Sequence, residues 1–174
     1  RECLRVRFSL FLPFAFPGID ILHQLGLGGK DVGHSSPVTA VPSPSTPSPQ
    51  GVHVTNDSYV ESPLRKVLPV SLAQPFTIII GLQSRKVNSA FLFSIRSKNR
   101  LQLGVQLLPK RLVVHLGGTQ AVNFSHSVHD GRRHVLAIAV SRRAVSMFAE
   151  CGGKSFRRET LADAQTFDSN SVFT

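Results

Sequence analysis

The stretch Leu101-Gln102-Leu103-Gly104-Val105-Gln106-Leu107 alternates apolar and other residues without a break. A strand collects such alternate positions on one face, whereas a helix scatters them around its surface. Related runs recur along the chain, each closed by turn residues. Residues 75–82 read as a fully apolar strand ending at Gln83-Ser84, and 90–95 follow. Residues 112–116 stop at Gly117-Gly118, and 121–124 are a short run. Residues 134–140 and 144–149 form a hairpin around Ser141-Arg142-Arg143. Many short strands with no helical pattern between them predict an all-β, antiparallel sandwich. There is no Gly-X-Y run and no internal repeat. At 174 residues, the chain can bury a core without a dense set of disulfides.

Other texture precedes the strands. Residues 19–25 have helical apolar spacing, with Asp20 placed to start a helix and Gly26 and Gly28-Gly29 to stop it. Residues 35–50 carry Pro37, Pro42, Pro44, Pro47 and Pro49 among Ser and Thr, an extended loop suited to O-glycosylation. At the amino terminus, Arg1, Arg5 and Arg7 stand before or beside the apolar run 8–16, and Pro17-Gly18 break it. A basic stretch followed by a short apolar run is the pattern of an export signal, so 1–17 read as such a segment and 18–174 as the domain. The alternative is an apolar segment buried in the fold. Removal of 1–17 would take Cys3 away and leave Cys151 as the remaining thiol. No apolar run reaches the roughly 20 residues that span a bilayer.

The formal net charge of +10 points to a polyanionic partner. Between Ser62 and His129 there is no acidic residue, against nine basic ones: Arg65, Lys66, Arg85, Lys86, Arg96, Lys98, Arg100, Lys110 and Arg111. Arg132, Arg133, Arg142, Arg143, Lys154, Arg157 and Arg158 form a second group. Most fall in turns or at strand ends. Turns of one sign repel one another, and binding of a polyanion offsets that cost; the plain alternative is a solvated basic surface. Arg85, Lys86, Arg96, Lys98, Arg100, Lys110, Arg111, Arg142 and Arg143 are the candidates for contact with a sulfated polysaccharide. The basic turns lack interleaved aromatics on which bases could stack, which argues against nucleic acid.

Asn56-Asp57-Ser58 and Asn123-Phe124-Ser125 are N-glycosylation acceptors. His126, His129 and His134 cluster with Asp130, but no nucleophile elbow, HExxH or carboxylate pair accompanies them. Two cysteines cannot supply a four-ligand zinc site alone. The residues imply no catalytic centre, cofactor or resident metal.

The segment Asp130-Gly131-Arg132-Arg133-His134, with 135–138 after it, resembles the Asp-Gly-x-Trp-His strand opener of laminin-G-like domains. Residues 87–96 and 101–109 resemble the thrombospondin-N-terminal-like version of that domain in fibrillar collagens, and so does the opening stretch 18–27. The resemblance runs from about residue 18 to the end. It implies a curved concanavalin-type, jelly-roll sandwich placed ahead of a collagen triple helix. It also implies secretion, a place in the extracellular matrix, and binding of heparan sulfate or heparin and of matrix proteins, in a parent chain trimerised through a collagen helix not present here. The alternative is a free-standing laminin-G-like module that binds a glycosaminoglycan or a receptor. Two departures stand out. Arg133 occupies the place of the family's Trp, where loss of a buried aromatic would cost about 3–5 kcal/mol unless the Arg stem covers the site. Residues 171–174 stop where the family continues with closing strands, which carry the cysteine that the resemblance pairs with Cys151. The expectation is therefore a sandwich lacking its last strands.

Overall fold

A computed structural model describes residues 4–11, 18–27, 39–41, 51–55, 58–68, 75–87, 89–117, 120–150, 153–159, 167–168 and 170–174. In chain order the elements are β1 (Leu4–Phe11), β2 (Ile19–Asp20), α1 (Ile21–Gln24), β3 (Thr39–Val41), β4 (Gly51–Val54), β5 (Ser62–Pro63) and α2 (Leu64–Val67). The strand-rich remainder comprises β6 (Phe76–Gln83), β7 (Ala90–Ser97), β8 (Arg100–Leu108), β9 (Arg111–His115), β10 (Ala121–Phe124), β11 (Arg133–Val140), β12 (Ala144–Ala149), β13 (Lys154–Glu159) and β14 (Val172–Phe173). All pairings are antiparallel, and they make two sheets. The first runs β13-β12-β11-β6-β1-β4-β3, with β2 also on β1; the second runs β10-β9-β8-β7-β14-β5. The predicted all-β antiparallel sandwich is the fold observed.

The core lies between the sheets. On β6, Phe76, Ile78, Ile80 and Leu82 are buried. Their registered partners on β11 are Val140, Ile138, Leu136 and His134. Residues directly opposite in an antiparallel pair share a face, so the apolar rows stack across strands. Val145, Met147 and Ala149 extend the row on β12. Leu103, Val105 and Leu107 on β8, with Leu112 and Val114 on β9, face them from the second sheet. Each large side chain buried in this way contributes roughly 1.5–3 kcal/mol.

The outer side of β8 departs from the expected wet face. Gln102 and Gly104 are buried. The Ser171 hydroxyl donates to Gln102 Oε1, and a Cβ placed on Gly104 would stand 3.0 Å from the Phe91 ring. Gly104 thus makes room for an aromatic side chain from β7, which carries a register shift between Phe91 and Phe93. The expected helix at 19–25 is a single turn. Asp20 caps it by accepting from the Leu22 and His23 backbone N–H groups at 3.1 and 3.2 Å, and Gly26, at φ +73°, ends it.

Four other stretches singled out by the sequence are placed as follows. Within the Pro-rich stretch, Thr39–Val41 form the edge strand β3; the rest of 35–50 lies outside the described residues. Arg133 leaves no gap in the core, because it alternates with inward His134 and Leu136 and is exposed. Residues 4–11, within the segment read as an export signal, form β1 when present, registered against β6 over seven pairs. The closing stretch supplies β14, which lies between β7 and β5 in the second sheet.

Candidate functional site

The registers sort the basic residues between two ends of the sandwich. Gln83 pairs with Arg133 at one end of β6, and Phe76 pairs with Val140 at the other. Arg85 and Lys86 therefore leave β6 beside Arg132 and Arg133, which enter β11. The β8–β9 turn brings Lys110 and Arg111 to this same end, as a chain of hydrogen bonds shows. The Gly131 N–H donates to the Ser84 carbonyl at 2.8 Å, and Gln83 Nε2 donates to the Gly131 carbonyl at 2.7 Å. Ser84 Oγ lies 3.2 Å from His129 Nδ1, and His129 Nε2 donates to the Leu108 carbonyl at 3.3 Å. One imidazole thus ties the β6–β7 loop of the first sheet to the β8–β9 turn of the second.

Arg85, Lys86, Lys110, Arg111, Arg132 and Arg133 are all exposed. Among the described residues, none of these six is in an ion pair. The acid beside them, Asp130, is already engaged. It accepts from the Arg132 backbone N–H at 2.9 Å and contacts His134 Nε2 at 2.7 Å. The His134 hydrogen bond, then that of Arg132, holds the Asp130 carboxyl below its ordinary range, so the group stays anionic and partnered. Gly131 has φ +76°, and a Cβ there would lie 3.1 Å from Arg85 Cγ. The bare backbone lets the Arg85 stem lie across the turn.

Arg96, Lys98, Arg100, Arg142 and Arg143 stand at the opposite end. The turn joining β7 to β8 carries Lys98, which has φ +52°, and that joining β11 to β12 carries Arg142 and Arg143. Arg96 is partly occupied: its guanidinium sits 5.7 Å over the Phe91 ring, and its Nε donates to Ser94 Oγ at 3.2 Å. The nine candidates from the sequence are thus divided, Arg85, Lys86, Lys110 and Arg111 from the other five. Arg132 and Arg133 were not among those nine; their signal was the Asp130-Gly131 turn at the strand opener.

The histidines serve the scaffold. His126 is 8% exposed, and its Nε2 has no hydrogen-bond partner among the described residues. Its ring meets those of His134 and Phe156 at 5.7 and 6.2 Å. Burial first, then the nearby His134 and Lys154, pushes its pKa down. Among the described residues no three His, Cys, Asp or Glu side chains converge in a way that would hold a metal. A hollow of about 450 Å³ is walled chiefly by Leu22, Leu25, Val52, Phe91, Phe93 and Phe173. Asn123 is exposed on β10, an edge strand of the second sheet. Asn56 and Cys151 lie outside the described residues.

No family model matches the chain. Among characterised proteins it is 66% identical over 164 residues to the collagen alpha-1(XXIV) chain of Homo sapiens, covering 90% of this chain and 10% of that one. It is 41% identical over 154 residues to the collagen alpha-1(XXVII) chain of Rattus norvegicus, covering 84% and 8%. It is 36% identical over 157 residues to an alpha-1(XXVII) collagen of Danio rerio, covering 89% and 9%. Among solved structures, domains LG4-5 of the mouse laminin alpha1 chain give a TM-score of 0.48 at 15% identity, over 60% of this chain and 29% of that one. The chain spans a tenth or less of the length of these collagen relatives. Over most of its length, this chain is a homologue of one segment of the collagen XXIV and XXVII alpha chains, and belongs to the collagen family that its sequence resembles.

Proposed function

We propose that the chain is a secreted, non-enzymatic module of the extracellular matrix that binds heparan sulfate or heparin through the end carrying Arg85, Lys86, Lys110, Arg111, Arg132 and Arg133. One observation carries the reading: six exposed cations from three turns of two sheets, outside every ion pair among the described residues, share an end pinned by Ser84, His129 and Gly131. A sulfated polysaccharide presents closely spaced anions along a flexible backbone. Such a polymer can neutralise several of these cations at once and release the counterions condensed on it, which makes affinity fall with salt. Arg96, Lys98, Arg100, Arg142 and Arg143 form a secondary surface at the other end.

The collagen relatives support a place in matrix fibril assembly beside other matrix proteins, within a parent chain that trimerises through a collagen helix outside these residues. Residues 1–17 act as the export signal and are removed. Asn56 and Asn123 carry N-linked glycans, and Cys151 pairs with a cysteine beyond the residues present here. The transcript beyond residue 174 separates the free-standing alternative: Gly-X-Y triplets there support the collagen reading, and a different extracellular domain replaces it.

Heparin chromatography across a salt series tests the site. Replacing Arg85, Lys86, Arg132 and Arg133 together by Ser should lower the salt of elution. It should also flatten the dependence of log affinity on log salt by roughly 3, at somewhat under one per lost contact. Replacing Arg96, Lys98 and Arg100 by Ser should have the smaller effect. An unchanged slope in the first variant, with loss in the second, would move the site to the opposite end.

A further inference from the structure

His129 does more at the cationic end than tie two loops together. Ser84 directly precedes Arg85 and Lys86, and Leu108 lies two residues before Lys110. The half-buried imidazole reaches both stretches, with Nδ1 3.2 Å from Ser84 Oγ and Nε2 3.3 Å from the Leu108 carbonyl. Ser84, itself buried, also donates through Oγ to the Lys86 carbonyl at 3.1 Å.

Hydrogens are too few for all three contacts while the ring is neutral. A neutral imidazole carries one N–H, and a hydroxyl has one hydrogen. The Leu108 carbonyl can only accept, so it takes the ring's proton on Nε2 and leaves Nδ1 a bare lone pair. The Ser84 hydrogen then serves either Nδ1 or the Lys86 carbonyl, and one contact is lost. With its proton on Nδ1 instead, the ring turns a lone pair toward the Leu108 carbonyl. An imidazolium has a hydrogen on each nitrogen. Nδ1–H then donates to Ser84 Oγ, Nε2–H donates to Leu108, and the Ser84 hydrogen stays on Lys86. The three contacts are made together only when the ring is charged.

The charged groups around the ring are mostly cations. Arg85 and Lys86 come from the β6–β7 loop, Lys110 and Arg111 from the β8–β9 turn, and Arg132 and Arg133 from the ring's own stretch. His126 and His134 flank it on that stretch, and Lys154 and Glu150 act on His126 from the β12–β13 hairpin. The adjoining Asp130 is held by His134 and the Arg132 N–H. Among the described residues, no carboxylate contacts the His129 ring.

We propose that His129 is a conditional seventh cation of the polysaccharide site, so that a sulfated chain and a proton bind there together. The inference rests on the function proposed above and adds its regulation. Sulfate esters keep their charge across the range in which histidine changes its own. A polyanion laid over the six exposed cations favours the charged ring, and by linkage the charged ring favours the polyanion. Retention then depends on pH as well as on salt.

Heparin chromatography at about pH 7.5 and about pH 5.5 tests this. Affinity at matched salt should rise on the order of tenfold at the lower pH, an ordinary size for coupling between two sites. The dependence of log affinity on log salt should steepen by somewhat under one. His129→Gln should lose most of this increment, Ser84→Ala should reduce it without altering any charge, and His134→Gln should keep most of it. A purely structural role for His129 would instead move retention equally at both pH values. Two measurements on the unaltered protein decide the matter should a variant not fold. At about pH 6.5, calorimetry in buffers of different ionisation heat should register proton uptake with heparin, and ring nitrogen spectra should show heparin raising the doubly protonated fraction of His129. An unchanged fraction would overturn the inference, as would an increment that survives in His129→Gln. Retention without any increment would overturn this inference alone. No retention at either pH would overturn the proposed function, and the inference with it.

Discussion

Replacing Gly131 by Ala and, separately, by Asn separates two effects that meet at one residue. Gly131 sits at φ +76°, where a side chain with Cβ is strained. Ala in that conformation costs about 1–2 kcal/mol, whereas Asn tolerates it better through local hydrogen bonding. A Cβ would also stand 3.1 Å from Arg85 Cγ. Arg85 is exposed, so its stem can move aside at little cost in stability. The Gly131 N–H bond to the Ser84 carbonyl survives both changes. Gly131→Ala should therefore lower the unfolding free energy by about 1–2 kcal/mol, a fall in Tm of about 2–8 °C for a chain of this size. Gly131→Asn should cost distinctly less. Both should weaken heparin retention by a similar amount, because both displace Arg85. Urea unfolding and the salt series read the two effects apart. A stability for Gly131→Ala equal to the parent's, or equal losses for Ala and Asn, would refute the backbone argument. Unchanged retention in both would remove Arg85 from the site.

Other outcomes concern the core and its histidines. His126 is pushed below the ordinary imidazole range by burial and by His134 and Lys154, against the smaller opposing pull of Glu150 and Asp130. The unfolded chain therefore takes up a proton that the fold resists, so stability is full above about pH 6.5 and declines below it. The urea midpoint should drop between about pH 7.5 and about pH 5.5, and less steeply in His126→Phe, with His115, also lowered by burial, supplying part of the remaining decline. Identical profiles for parent and variant would exclude His126 as a source. Ile80→Ala, at a fully buried site, should cost about 2–5 kcal/mol in urea unfolding. Phe148→Ala, at a residue 40% exposed, should cost under about 1 kcal/mol, and a larger loss there would misplace the outer face of β12.

The strands that the sequence made legible are those whose pattern is dictated by the core. β6, β8, β9, β11 and β12 each place several fully buried apolar residues at alternate positions, so their periodicity is a record of their environment. β13 escaped that reading because Lys154, Ser155 and Arg158 are polar and exposed, as suits an edge strand that must not invite pairing. β3, β5 and β14 are two or three residues long; β5 and β14 exist only through partners distant in sequence, and β3 only by pairing with the next strand, β4. The one-turn α2 follows Pro63, whose side chain offers no cap. For the candidate site, residue type and sign were legible, but position was not. Arg85 and Arg132 are far apart in the chain and become neighbours through the Gln83↔Arg133 register, whereas Arg85 and Arg96 are near in sequence and stand at opposite ends of β7.

The contact of His129 with both layers has a consequence for selectivity. A loop free to swing can follow almost any arrangement of charges, at the cost of being ordered on each encounter. Here the turns bearing Arg85 and Lys110 are joined through one imidazole, so the separation between their backbones is held while the exposed side chains remain free to adjust. If the proposed polysaccharide binds at this end, the surface would work as a caliper. It would then respond to how sulfates are spaced along a chain, and two polysaccharides of equal charge density but different sulfation pattern should differ in their salt of elution.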